Sequence, residues 1–325
     1  MVVTPASGTD LATETSFAQT ICLPILQNTQ NEDGGWGFRG GLVSRVEPTC
    51  WALLALLQTE LQGEQSERVA RGLEFLRRSQ LADGSWPAIP EQQTGSSSTS
   101  LACWSLLAAK DTSNAANAGL RWICDDWPRD SALWRRAINS LLRKNKEIVQ
   151  HNDACRGWGW TPKTASWVEP TAFALIALSQ CPGELLASGA KRRESLAKAL
   201  LLDRMCPGGG WNCGNPRTYG VAGEPLVVPT VWALIALRAE RERPEVRASL
   251  DWLKQNVSGI RSGASLALAR LCFRVFGEAQ EIGEYRIRAA FERNAFLENI
   301  CVAAWTCLAF TENLNWLGDA PLVKS

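Results

Sequence analysis

Two glutamates stand in the same local setting. Val46-Glu47-Pro48-Thr49 and Val168-Glu169-Pro170-Thr171 each open an apolar run, Cys50 to Leu56 and Ala172 to Leu178. A carboxyl buried among apolar neighbours holds its proton to higher pH and can serve as an acid. The same position also has a purely structural use, because an acid at the head of a helix meets free amides and the positive end of the dipole. Both readings stand at this stage. Two other clusters carry ligand-type residues. His151-Asn152-Asp153-Ala154-Cys155 brings together three metal-binding types, but structural zinc asks for four ligands, richer in Cys or His. It reads as a polar surface loop, and no metal site is assigned. In Asp125-Asp126-Trp127-Pro128-Arg129-Asp130 the third carboxylate falls late for a magnesium motif and Pro128 breaks the helix that would align it, so these read as helix-end acids. No glycine-rich phosphate loop precedes a Lys-Ser/Thr, no Gly-x-Ser-x-Gly elbow is present, and no cofactor is expected.

The elements that must position Glu47 and Glu169 follow from a repeat. The apolar runs read as buried helices, with Pro48 and Pro170 at first helical positions and Thr49 and Thr171 serving first-turn amides. The pattern returns at Val228-Pro229-Thr230-Val231-Trp232 and, degenerately, at Ser98-Thr99-Ser100-Leu101. Trp36 and Trp86 are 50 residues apart, and so are Thr49 and Thr99; two unrelated features with one period make a genuine repeat. Between the buried helices lie amphipathic ones, such as 66–80 with Val69, Leu73 and Leu76 on one stripe, and glycine-tryptophan turns at Trp36, Trp86, Trp158 and Trp211. A basic helix is expected over 131–145 and no strand is expected. The unit is an outer amphipathic helix, a Gly/Trp turn and an inner apolar helix. Inner helices that are apolar all round favour a closed ring over an open solenoid, which would leave one face in water. Residues 1–10 read as a flexible N-terminus, 11–312 as one domain and 313–325 as a tail.

Composition narrows the partners. Thirty-four Lys+Arg against 33 Asp+Glu give a net charge of +1, which suggests neither nucleic acid nor an anionic membrane as a partner. The 11 Cys fall mostly in apolar helical stretches and read as reduced thiols. No signal peptide or membrane-spanning run is evident, so a cytoplasmic location is expected. Oligomeric state is not readable.

Gln30 through Trp36 and Gln80-Leu81-Ala82-Asp83-Gly84-Ser85-Trp86 resemble the QW repeats of squalene–hopene and oxidosqualene cyclases and of related prenyltransferase β subunits. The resemblance runs from about Leu11 to Phe310. It implies an all-α fold, an (α/α)6 toroid with a central apolar cavity, and a terpene-cyclase-like enzyme acting on a polyprenyl or other isoprenoid substrate by protonation. In that family an Asp-x-Asp-Asp-Thr motif supplies the acid. Aligned on Thr171, Glu169 takes the acid position, with Trp167 and Pro170 where the flanking aspartates would be; aligned on Thr49, Glu47 does. The implied substrate-lining residues are Trp167, Trp160, Trp158, Phe173, Trp51 and Trp232, whose faces would stabilise a cation. Substrate uptake could involve peripheral membrane contact. Two alternatives accompany this reading: a non-catalytic isoprenoid or lipid binder that lost the acid motif, and a zinc prenyltransferase-like subunit, which the single His151 disfavours.

Overall fold

Trp36 and Thr49 show how each unit is held. In the computed structural model, which describes residues 16–59, 62–128, 152, 154–181, 187–280, 282–294 and 298–318, the Trp36 backbone N–H donates to Thr49 Oγ1 at 2.9 Å. The Trp36 indole N–H donates to the Leu26 carbonyl at 2.8 Å. The same pair of bonds recurs from Trp86 to Thr99 and Leu76, from Trp158 to Thr171 and Ile123, and from Trp211 to Thr230 and Leu201. Each indole thereby serves a carbonyl in the last turn of one helix, where no backbone donor remains. Each threonine ties the turn to the first turn of the next helix. The Gln side chains add to this: Gln30 Nε2 donates to Gly34 and Arg68 carbonyls, and Gln80 Nε2 to Gly84 and Ala115 carbonyls. Gly84 has a φ of +87°, and a Cβ there would lie 2.8 Å from the Ala118 carbonyl oxygen, so the turn needs glycine at that point.

The helices joined in this way alternate between outer and inner. A π-helical turn Ala18–Cys22 leads into α1 (Leu23–Asn28), and α2 is Val46–Leu56, α3 Glu64–Arg78, α4 Ser98–Ala108, α5 Ala115–Asp125 and α6 Val168–Leu178. Then come α7 (Ala187–Asp203), α8 (Val227–Ala236), α9 (Pro244–Asn256), α10 (Gly263–Phe276), α11 (Glu284–Asn294) and α12 (Ile300–Phe310). Every residue of α2 except Glu47, and of α6 except Glu169, is buried. By contrast α3 buries Val69, Gly72, Phe75 and Leu76 along one stripe.

The even-numbered helices close a ring. Helix α2 packs on α4, α4 on α6, α6 on α8, α8 on α10, α10 on α12, and α12 back on α2. Around them α3, α5, α7, α9 and α11 each pack on the inner helix that precedes them, while α1 and its π turn pack on α12. The architecture is an all-α (α/α)6 toroid. A two-residue antiparallel pairing, Arg217–Thr218 with Val221–Ala222, departs from the strand-free expectation and shapes the loop before α8.

Two local expectations are corrected. The inner helices begin earlier, with Arg45 and Trp167 as extended N-caps, so Glu47 and Glu169 fall at the second helical position and the prolines at the third. The threonines do not cap their own helices; the tryptophan turns claim them first. All eleven cysteines are free thiols, as expected. Within residues 311–318, Asn315–Leu317 form a 3-10 turn that buries Trp316 and Leu317 against the ring. The 131–145 segment, His151 and Asp153 lie outside the described residues.

Candidate active site at the N-terminal mouth of the ring

The ring closes six inner helices in parallel, so their N-termini share one face and their C-termini the other. On α2, Glu47 and Trp51 are four residues apart and lie on one side of the helix; on α6, Glu169 and Phe173 do the same. Trp51 and Phe173 meet edge to face at 5.8 Å, so those sides face each other across the ring although α4 separates the two helices. The two carboxyls therefore enter the same mouth, one turn above the aromatic pair.

Below them the axis is filled. Trp51 contacts Trp104 of α4, Phe173 of α6, Trp232 of α8 and Trp305 of α12, with ring centroids 4.9–5.8 Å apart. Since α8 stands opposite α2 in the ring, the 4.9 Å approach of Trp51 and Trp232 spans the diameter. The open apolar cavity expected along the axis is occupied by these side chains at this level. Trp104 then stacks on Trp316 at 5.2 Å toward the other mouth. The aromatic layer is a floor under Glu47 and Glu169 rather than the wall of a deep chamber.

The electrostatics follow from that floor. Burial, and secondarily the charge of Glu47, push the Glu169 carboxyl up to about 7. Glu47 is raised as well, chiefly by burial, with the nearby Trp51 N–H pulling it back down. Both glutamates lie in the first turn of their helices, and among the described residues no hydrogen bond runs to either carboxylate from a backbone N–H of its own helix. Two thiols border the pair: Cys301 is raised by burial and then by Glu47, and Cys213 by burial and then by Glu169. Neither is activated as a nucleophile, which needs the opposite shift.

Four loops surround the mouth. They are stitched to neighbouring inner helices by backbone bonds from Ile300 N–H to Phe38 O, Ser97 N–H to Trp160 O, and Val168 N–H to Cys213 O, at 2.9–3.2 Å. Of the eleven large apolar side chains exposed among the described residues, nine lie on these loops. They include Leu42 and Val43 before α2, Ile89 before α4, Trp160 and Trp167 before α6, and Leu226 before α8. Exposure concentrated on one face marks a surface that meets something apolar.

The residues singled out from sequence thus fall into three groups. Glu47, Glu169, Trp51, Phe173 and Trp232 are brought together at the mouth and its floor. Trp160 and Trp167 stand on the rim, 40% and 37% exposed. Trp158 is apart from both: buried, it donates to the Ile123 carbonyl and has the Arg193 guanidinium over its ring at 4.0 Å. Trp104, Trp305 and Trp316 complete the floor and were not singled out. Trp104 sits five residues after its threonine where Trp51 sits two after, and Trp316 follows the last helix with no periodic signal at all. Of the His151-Asp153-Cys155 group only Cys155 is described, its thiol over the Ala199 carbonyl at 3.8 Å. No group of three or more His, Cys, Asp or Glu poised for a metal occurs among the described residues.

No family model matches the sequence, and no curated protein does. Among solved structures, a protein from Actinoplanes superposes with a TM-score of 0.57 at 15% identity, covering 89% of this chain and 96% of that one. This likeness is one of overall fold. The apo form of the type II terpene cyclase MstE from Scytonema is similar at a TM-score of 0.35 and 17% identity, over 72% of this chain and 76% of that one. A Salmonella alpha-2-macroglobulin matches at 0.44 and 13% identity, over 88% of this chain but 17% of its own length. No helix among the described residues is long and apolar enough to cross a membrane.

Proposed function

We propose that the protein is a terpene-cyclase-like acid catalyst that protonates an isoprenoid at the N-terminal mouth of the toroid. The observation that supports this reading is the meeting of Glu47 and Glu169 over an aromatic floor, with Glu169 holding its proton to about pH 7. Glu169 is the proton donor: its O–H bond breaks, a new C–H bond forms at one end of a substrate double bond, and the cation forms at the other end. Burial holds that proton in place, and the neighbouring Glu47 adds to the effect. The faces of Trp51, Phe173 and Trp232 supply negative quadrupole to the cation. Loss of a proton from the final cation restores the acid, so the reaction requires no cofactor. The apolar rim, including Trp160 and Trp167, would grip the chain of the substrate and could also touch the membrane surface from which such a molecule is drawn.

The filled axis favours one further reading. A long isoprenoid cannot thread past the floor, so a ligand could rest on the rim without being folded for chemistry, as in a non-catalytic binder. Mass spectrometry of extracts after incubation with farnesyl, geranylgeranyl and squalene-type substrates separates the two. The catalytic reading requires a cyclised product from the wild type that Glu169→Gln fails to make. Unchanged lipid retained by both proteins would replace catalysis with binding.

A further inference from the structure

Glu47 and Glu169 share a local sequence, Val-Glu-Pro-Thr, but differ one turn further on. Helices α2, α6, α8 and α12 present one register to the mouth. Their second residues are Glu47, Glu169, Val228 and Cys301, and their sixth residues are Trp51, Phe173, Trp232 and Trp305. Side chains on a helix lean toward its N-terminus, so each sixth residue reaches back beneath the second. Glu47 thus stands over an indole with an N–H, and Glu169 over a phenyl ring with none.

The indole N–H groups sort along the same line. Those of Trp36, Trp86, Trp158 and Trp211 each donate to a helix-end carbonyl, and that of Trp104 donates to the Trp316 carbonyl. Those of Trp51, Trp232 and Trp305, all in the floor, are buried with no acceptor in hydrogen-bonding geometry. An indole nitrogen can only donate, and a buried donor without a partner is rare and costly. Of these three, Trp51 alone has a carboxyl one turn above it on its own helix, since Val228 and Cys301 offer Trp232 and Trp305 none.

The other groups at the mouth do not separate the two acids. Glu47 faces Cys50 on its own helix, Cys301 from α12 and Glu169 across the mouth, and Glu169 faces Glu47 and Cys213 from the loop before α8. The three thiols are raised and carry no charge near neutral pH. Helix α4 brings only the hydroxyls of Ser98, Thr99 and Ser100 to its first turn. Arg39 and Glu298 pair with each other at the rim, and Arg45, the N-cap residue of α2, is not among the groups that move Glu47. Burial raises both carboxyls; the Trp51 N–H pulls Glu47 back down, and among the described residues no hydrogen bond does the same for Glu169.

We propose that the Trp51 indole N–H is the positioning group that places the single proton of the pair on Glu169, by donating to Glu47 as a carboxylate. The inference rests on reading the two glutamates as an acid pair. A carboxylate accepts a hydrogen bond more strongly than a neutral acid does. The Trp51 contact therefore closes as Glu47 ionises and favours that form, and the charge so fixed helps Glu169 to keep its proton. Such contacts are often long until the site is engaged. The ring that floors the mouth on the α2 side thus directs the substrate double bond to the α6 side.

NMR on the full chain tests this without substrate. Glutamate carboxyls carry carbon-13 and indoles nitrogen-15, and Glu47 and Glu169 are assigned from their Gln variants. In wild type Glu47 should titrate first and Glu169 last. In Trp51→Phe, which makes the two settings alike, the Glu47 midpoint should rise by about one pH unit and the Glu169 midpoint should fall. A loss of packing alone would lower stability without moving the two midpoints in opposite directions. A second measurement needs no change at Trp51, and so decides even if Trp51→Phe fails to fold. One indole N–H resonance should shift along the Glu47 step, and that shift should disappear in Glu47→Gln. Midpoints that Trp51→Phe leaves in place or moves together, or indole resonances none of which follows Glu47, overturn the proposal. A wild type in which no carboxyl titrates above the ordinary range removes the acid pair and the proposal with it. Titrations as expected without any cyclised product would uphold the Trp51 assignment and sink only the cyclase reading.

Discussion

Trp51 and Trp232, on diametrically opposed helices of the ring, approach to 4.9 Å between ring centroids. That contact sets the depth of the site, because it stops any ligand entering from the glutamate side after about one helical turn. Trp232→Ala should cost about 3–5 kcal/mol, the usual loss for emptying a large aromatic site in a core. It should also open a void that takes up xenon or benzene, which wild type excludes. Chemical denaturation gives the first quantity and ligand-dependent melting the second.

The tryptophan-threonine brackets carry stability rather than chemistry. Thr99→Val leaves the buried Trp86 backbone N–H without its 2.9 Å partner. The expected loss is about 1–3 kcal/mol, and Thr99→Ser should recover most of it. Urea midpoints of the three proteins measure this, and none of these changes should alter Glu169.

Glu169 makes stability depend on pH in a direction opposite to that of an ordinary paired carboxylate. Its pKa rises from 4.5 in the unfolded chain to about 7 in the fold. Its contribution is therefore fully present below about pH 4.5 and lost as the pH climbs through 7. The loss is on the order of 2 kcal/mol, and Glu169→Gln should flatten that part of the curve. Stability measured from pH 4 to 8 in both proteins tests it; a wild-type curve that rises over the window would refute the assignment.

How much of this was legible beforehand depends on the feature. The ring was readable because closure leaves a mark on single helices: α2 and α6 are apolar all round, and the 50-residue spacing of Trp36–Trp86 and Thr49–Thr99 repeats the bracket that joins each pair. That Glu47 and Glu169 stand apart from their helices was also readable, since each breaks an otherwise buried run. The filled axis was not. A helix buried on every side gives no periodicity to say which face points inward, so the burial of Trp51 and Trp232 fits a cavity wall and a plug equally well. Ring diameter decides, and that is a property of six helices packed together. The role of Thr49 and Thr171 was misassigned for a related reason: a threonine near a helix start looks like a cap until the turn 13 residues earlier folds back on it.

The acid role rests on Glu169 carrying a proton near neutral pH, first because it is buried and then because Glu47 shares its mouth. Carbon-13 NMR titration of glutamate-labelled protein measures this directly. One carboxyl should titrate near pH 7, vanish from the spectrum in Glu169→Gln, and shift to lower pH in Glu47→Gln. If every resolved glutamate titrates near its ordinary value of about 4.3, and Glu47→Gln moves none of them, the two carboxyls do not form an acid pair and the catalytic account fails.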